Sequence, residues 1–223
     1  LYFRSIIFYN CQKKITEIKK ILGVNYVNFE EIDPLFIKIM IICEDCKFYS
    51  HSGFYSNKRR FIINLFKQII FRKRLIFSGI YQQLIKNLFF EKSNSNFYNG
   101  YRKIIEYLMT PIFNNIYSKN MILEYYFNIL LFIDYKSKKV KFFGIKNISK
   151  NIFNKELEEL NIFDYFLIST CNVNPIYYYP LIKQKKITIN IYDKIKKLKN
   201  IFSEEKKYLE IINLEINKYQ IID

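Results

Sequence analysis

Four short stretches of this chain carry side chains suited to acid–base or anion-binding chemistry. In the first, Glu44 and Asp45 close an apolar run and are followed by Lys47, the single histidine His51, and Gly53. A carboxylate at the end of an apolar helix is partly desolvated, which raises its proton affinity and equips it as a general base. In the second, Ser78 precedes a run in which Gln82 and Lys86, and Gln83 and Asn87, stand four residues apart. On a helix these form two adjacent polar stripes able to hold hydroxyls and phosphates. The third, Arg102-Lys103-Ile104-Ile105-Glu106, places one carboxylate within about a helical turn of two cations. The fourth puts Glu124 and Asn128 on one face of an otherwise apolar helix, where a carboxylate and an amide buttress a site more often than they react. Each stretch alone also has an ordinary reading: an acidic helix end, a solvated polar face, a surface ion pair.

The elements that must position these groups read as helices. Pro34 at a first-turn position opens a helix over 35–48, and Ser118 is a suitable N-cap for one over 119–133. Further helices are predicted over 60–72, 79–90, 100–117 and 157–171, with one or two exposed helices across 194–219. Loops fall at 51–58, 91–99, 134–150 and 172–186, and alternation is too brief for convincing strands. With no internal repeat and no convincing linker, the pattern predicts one mainly α-helical domain.

Composition narrows the partners. Half of the 223 residues are apolar, enough for a buried core. The 36 Lys and Arg exceed the 20 Asp and Glu by 16, which favours an anionic surface or a phosphorylated ligand. Charge and tyrosines also suit nucleic acid, but no nucleic-acid-binding module is recognisable, so no nucleic-acid partner is assigned. Cys43 and Cys46 make a lone CxxC without a second pair or a histidine cluster, so no metal site is assigned. The longest uncharged run, Tyr165 to Ile182, contains Asn172, Asn174, Pro175 and Pro180, which a spanning helix would resist. No leader or anchor is visible in the chain, which begins at Leu1.

Order and spacing bind the four stretches together. Glu44, Asp45, Phe48, His51 and Gly53 match a motif ED, two variable residues, F, two more, HxG. Ser78, Ile80, Gln82, Gln83, Leu84, Lys86 and Asn87 match GGSTITQQ followed by LxKN. Arg102, Lys103 and Glu106 match RKxxE, and Ile122, Leu123, Glu124, Tyr126 and Asn128 match ILExYLN. Pro175, Tyr178 and Pro180 match a distal PxxYxP. From about residue 28 to 182 the chain thus resembles the peptidoglycan glycosyltransferases, a resemblance that implies a glycosyltransferase domain there, a lead segment at 1–27 and a helical tail at 183–223. These occur as monofunctional transglycosylases and as the N-terminal module of class A penicillin-binding proteins. The tail at 183–223 is too short to hold a transpeptidase module.

The resemblance implies a two-lobed, lysozyme-like, mainly α fold with a small membrane-dipping lobe, here Phe54 to Phe77. It implies an enzyme at the outer, periplasmic face of the bacterial inner membrane, joining a growing lipid-linked glycan to lipid II with inversion and release of undecaprenyl pyrophosphate. Other cell-wall synthesis proteins would be its neighbours. By matching position Glu44 is the base and Glu106 the second essential carboxylate. Lys47, Ser78, Gln82, Gln83, Lys86, Arg102 and Lys103 would face substrate or pyrophosphate. Asp45, His51, Gly53, Asn87, Glu124 and Asn128 would support them. Leaving-group charge would be met by these cations or by a divalent ion, Mg or Mn.

The second motif departs from the family: Ile76, Phe77, Ser78, Gly79, Ile80 and Tyr81 stand for GGSTIT, so Tyr81 puts a ring where a small hydroxyl is usual. Lys146 and Asp164 replace a carboxylate and a glutamate, and Asn172 replaces a proline. These changes raise an alternative, a non-catalytic homologue that binds lipid-linked precursor or organises other wall enzymes. A lysozyme-like hydrolase shares the fold class, but the paired cations and the glutamine helix favour transfer.

Overall fold

The computed structural model describes residues 2–53, 78–90, 96–133, 140–172 and 174–223. Within it the chain forms two compact units, Leu1–Ile21 with Glu44–Ile129, and Leu22–Cys43 with Leu130–Asp223. Helix is the dominant element throughout, as the patterning predicts.

Helix α1 (Tyr2–Leu22) buries Ile7, Cys11 and Ile15, one residue per turn along a single stripe. No motif marks this helix in the sequence. Helix α2 (Pro34–Glu44) is opened by Asp33, whose Oδ1 accepts the Leu35 amide at 2.7 Å, with Pro34 in the first turn. In the second unit Asp33 Oδ2 also accepts the Tyr165 hydroxyl at 2.9 Å, and Phe36 stacks on the Tyr165 ring at 4.4 Å. The helix expected over 35–48 stops at Glu44. The Phe48 amide instead donates to the Asp45 carbonyl, starting a tight turn over Phe48–Ser50.

Among the described residues of the first unit, three further helices follow: α3 (Ile80–Phe89), α4 (Asn96–Ile116) and α5 (Lys119–Asn128). Helix α3 packs on both of the others. It buries Ile80, Tyr81, Leu84, Ile85 and Leu88, leaving Gln82, Gln83, Lys86 and Asn87 half-buried on its polar side. Helix α5 begins where Ser118 Oγ accepts the Met121 amide at 3.2 Å. Pro111 lies inside α4, where it removes one backbone donor; one residue earlier Thr110 Oγ1 donates to the Glu106 carbonyl at 2.7 Å.

In the second unit β1 (Leu131–Ile133) pairs antiparallel with β2 (Val140–Phe143), followed by the single turn α6 (Ile145–Ile148). Helix α7 (Ile162–Cys171) is buried along its whole length and is started by Asn161, whose side chain accepts the Phe163 and Asp164 amides. Helix α8 (Pro175–Lys183) leads to β3 (Lys186–Thr188), then α9 (Ile189–Ile201) and α10 (Lys206–Ile216). The last strand, β4 (Gln220–Ile222), pairs parallel with β3. Both α9 and α10 pack on α7.

Several boundaries differ from expectation. The helix expected over 119–133 ends at Asn128 and gives way to β1. The loop expected at 172–186 holds α8, with Pro175 in its first turn, and that at 134–150 holds β2 and α6. Helix α4 begins at Asn96, inside the loop expected at 91–99. The helix expected over 157–171 starts at Ile162, after a separate turn at Leu157–Glu159. Residues 194–219 fall in two helices, the first starting earlier, at Ile189. The predicted helix at 60–72 and the membrane-dipping lobe Phe54 to Phe77 lie outside the described residues. Among the described residues no helix is long and apolar enough to cross a membrane.

Candidate active site

Asp45 ties the first motif to the second. It is buried at 2% exposure, and its Oδ2 accepts the Ile80 amide at 3.2 Å, so the carboxylate caps α3 from outside that helix. A negative group suits a helix N-terminus, where backbone donors and the helix dipole converge. Gly79 makes the approach possible, since a Cβ there would overlap Asp45 Oδ2. The other oxygen, Oδ1, meets His51 Nε2 at 2.8 Å, while the Gly53 amide donates to His51 Nδ1 at 2.9 Å. With Nδ1 accepting, the neutral imidazole carries its proton on Nε2, directed at Asp45.

Gly53 then closes the turn against α3 and α4. Its φ is 102°, and an added Cβ would overlap the Thr110 methyl. Its carbonyl accepts Gln82 Nε2 at 2.8 Å, and the same nitrogen lies 3.4 Å from Thr110 Oγ1. Gln82, read from sequence as a substrate contact, therefore turns inward and holds the turn. Lys119 clamps the turn from α5: its ammonium donates to the carbonyls of Phe48 at 2.7 Å and His51 at 2.6 Å, over the Phe48 and Tyr81 rings. Burial lowers the Lys119 pKa, and nearby Asp45 opposes that shift.

Tyr81 resolves one departure from the family motif. Its ring is fully buried beside Phe48, and its hydroxyl donates to Asn114 Oδ1 at 2.8 Å. The ring is thus part of the core and does not fill the polar side of α3.

Glu44 stands half-buried at the end of α2, and its Oε2 accepts Gln83 Nε2 at 2.5 Å. The same nitrogen donates to the Ser78 carbonyl at 3.1 Å, and Gln83 Oε1 accepts the Tyr126 hydroxyl at 3.3 Å. Ser78 continues the chain of contacts, because its hydroxyl accepts from Lys103 Nζ. Lys103 also donates to Glu106 Oε2 at 2.6 Å, and Arg102 Nη1 donates to Glu106 Oε1. Glu106 is fully buried with each oxygen held by a cation. Burial lowers the Lys103 pKa; Glu106 works against that shift, and Arg102 adds to it. Arg102 and Lys103 keep 14% and 9% of their side-chain surface exposed, against none for Glu106. Two cations on one carboxylate leave this cluster one positive charge in excess.

The remaining candidates are placed less tightly. Lys47 is exposed, and Lys86 and Asn87 lie half-buried on α3. Glu124 faces Lys19 of α1 at 3.9 Å, and Asn128 is buried with Nδ2 on the Glu124 carbonyl at 2.9 Å. Lys119, Thr110 and Asn114 are engaged with site residues although no motif match includes them, and Tyr126, matched in the fourth motif without a role, meets Gln83. The signal for Lys119 is its place directly after the Ser118 cap. Among the described residues no group of three or more His, Cys, Asp and Glu gathers to hold a metal. Among the described residues Asp45 and Glu106 are held by protein partners and Glu44 by Gln83, and no step is assigned to a divalent ion.

The chain is 30% identical to the biosynthetic peptidoglycan transglycosylase of Mannheimia succiniciproducens, over 76% of this chain and 67% of that protein. It is 32% identical to the biosynthetic peptidoglycan transglycosylase of Nitrosospira multiformis, over 50% of this chain and 46% of that one. Against penicillin-binding protein 1B of Buchnera aphidicola from Acyrthosiphon pisum it is 28% identical over 92% of its length, and there it spans only 29% of the relative. The family model described as transglycosylase matches residues 12–199, which include Glu44, the glutamine helix α3 and the Arg102–Lys103–Glu106 cluster. The chain belongs to the transglycosylase family.

Proposed function

We propose that this chain is a peptidoglycan glycosyltransferase that extends a lipid-linked glycan with lipid II at the outer face of the bacterial inner membrane. The observation that carries the reading is the linked set Glu44–Gln83–Ser78–Lys103, which joins a half-buried carboxylate to a cation cluster with excess positive charge. Glu44 takes the proton of the acceptor sugar's 4-hydroxyl as that oxygen attacks the anomeric carbon of the donor. The bond to the pyrophosphate oxygen breaks with inversion, and the leaving anion is met by Arg102 and Lys103. Glu106 acts as a positioning residue that holds both cations in place, rather than as a proton carrier. The formal net charge of +16 suits an anionic membrane surface and a pyrophosphate-bearing substrate.

The test is incubation of the chain with lipid II in detergent or bilayers, with Mg²⁺ or with EDTA, followed by separation of polymer from substrate. Polymer in either condition supports the reading, and equal rates in both assign leaving-group stabilisation to the protein's own cations. Lipid II binding without polymer in either condition overturns it in favour of a non-catalytic precursor-binding homologue.

A further inference from the structure

The Gln83 amide is held from three directions. Its nitrogen donates to the Glu44 carboxylate at 2.5 Å and to the Ser78 carbonyl at 3.1 Å, and its oxygen accepts the Tyr126 hydroxyl at 3.3 Å. Two acceptors on one side and a phenol on the other select one orientation. The flipped amide would set its oxygen against a carboxylate and a carbonyl. Tyr126 itself is fixed: it is fully buried on α5, with its ring edge-on to Phe127. Glu44, in contrast, is the last residue of α2, on a side chain with several rotatable bonds. A base so placed needs an external hold to stay within reach of the proton it removes, since displacement by about 1 Å can cost about 100-fold in rate.

We propose that Tyr126 is a positioning residue of the glycosyl-transfer site, acting through Gln83 to fix the Glu44 carboxylate. The proposal rests on the reading of Glu44 as the base. It also gives Gln83 a role different from pyrophosphate binding: its amide donates a charge-assisted hydrogen bond to the base. Tyr126 makes no contact with substrate in this account, and its hydroxyl acts on the base through Gln83.

A double-mutant cycle in the full chain tests this, with kcat and KM for lipid II polymerisation measured alongside thermal unfolding. Tyr126→Phe lowers kcat by roughly 10-fold with KM and the unfolding temperature nearly unchanged. Gln83→Met lowers kcat at least as much. Adding Tyr126→Phe to Gln83→Met causes no further loss. Full kcat in Tyr126→Phe overturns the proposal, and so does multiplication of the two losses in the double variant, because a packing role would act independently of Gln83. If Tyr126→Phe weakens the fold, Gln83→Met decides the matter, and wild-type kcat there overturns the proposal. Glu44→Gln run in parallel separates the two ideas. Wild-type polymerisation by Glu44→Gln removes the base itself, whereas an inactive Glu44→Gln beside a fully active Tyr126→Phe removes only the positioning role.

Discussion

Gly53 shows how the chemistry of this site depends on residues that carry no functional group. Its backbone sits at φ 102°, and a Cβ would overlap the methyl of buried Thr110. Gly53→Ala should therefore destabilise the chain by about 3 kcal/mol, combining backbone strain with overpacking. Thr110→Ser removes the offending methyl and keeps the hydroxyl that binds the Glu106 carbonyl. Adding it should recover part of that loss in urea unfolding. An alanine variant as stable as wild type would show that the turn relaxes freely. The resemblance implies a support role for the histidine beside it, and the structure places that ring between Asp45 and the Gly53 amide. The inward turn of Gln82 was not legible. Two adjacent glutamines on one helix look equivalent in a sequence, and only the neighbouring Gly53 carbonyl and Glu44 carboxylate give them different work.

At the scale of elements, the helices that carry motifs were legible because their apolar spacing and caps are local properties. Helix α3 and the Ser118 cap of α5 follow directly from that spacing. The elements missed have tertiary causes. Helix α1 has a buried stripe of one residue per turn, but Lys13, Lys14, Lys19 and Lys20 dilute its apolar pattern. Strands β1 and β2 are three and four residues long, no longer than the shortest run over which alternation can be read. The early end of α2 is set by Asp45, whose carboxylate is drawn to the amide of Ile80, 35 residues away. The same contact explains why a glycine at position 79 is compatible with the motif. The cap comes from Asp45, in space that a side chain at 79 would otherwise occupy.

For the whole molecule, buried thiols and phenols set the response to alkaline pH. Burial pushes the Cys11 thiol up to about 11 from an ordinary 9.0, with a Tyr117 hydrogen bond opposing, and pushes Cys171 up to about 12. Burial also raises Tyr81, Tyr117, Tyr125, Tyr165 and Tyr219 above the ordinary 10.0. As pH passes 9.0 the unfolded chain loses these protons first, so it binds fewer than the folded chain and stability falls. Lys103 and Lys119, whose folded pKa values are lowered, work in the opposite sense below the ordinary 10.5. Two lysines oppose two thiols and these five phenols, to which Tyr49 and Tyr178 add in the same direction, so the unfolding temperature should decline from about pH 9 toward pH 12; constancy across that window would refute the assignment. Charge and burial thus shape stability, while the proposed activity rests on the candidate site in the first unit. The most direct measurement is glycan polymerisation from lipid II by Glu44→Gln beside the wild-type chain, with matched circular dichroism. The account predicts an intact fold and a rate reduced at least about 100-fold. Polymer formed by Glu44→Gln at the wild-type rate would contradict it.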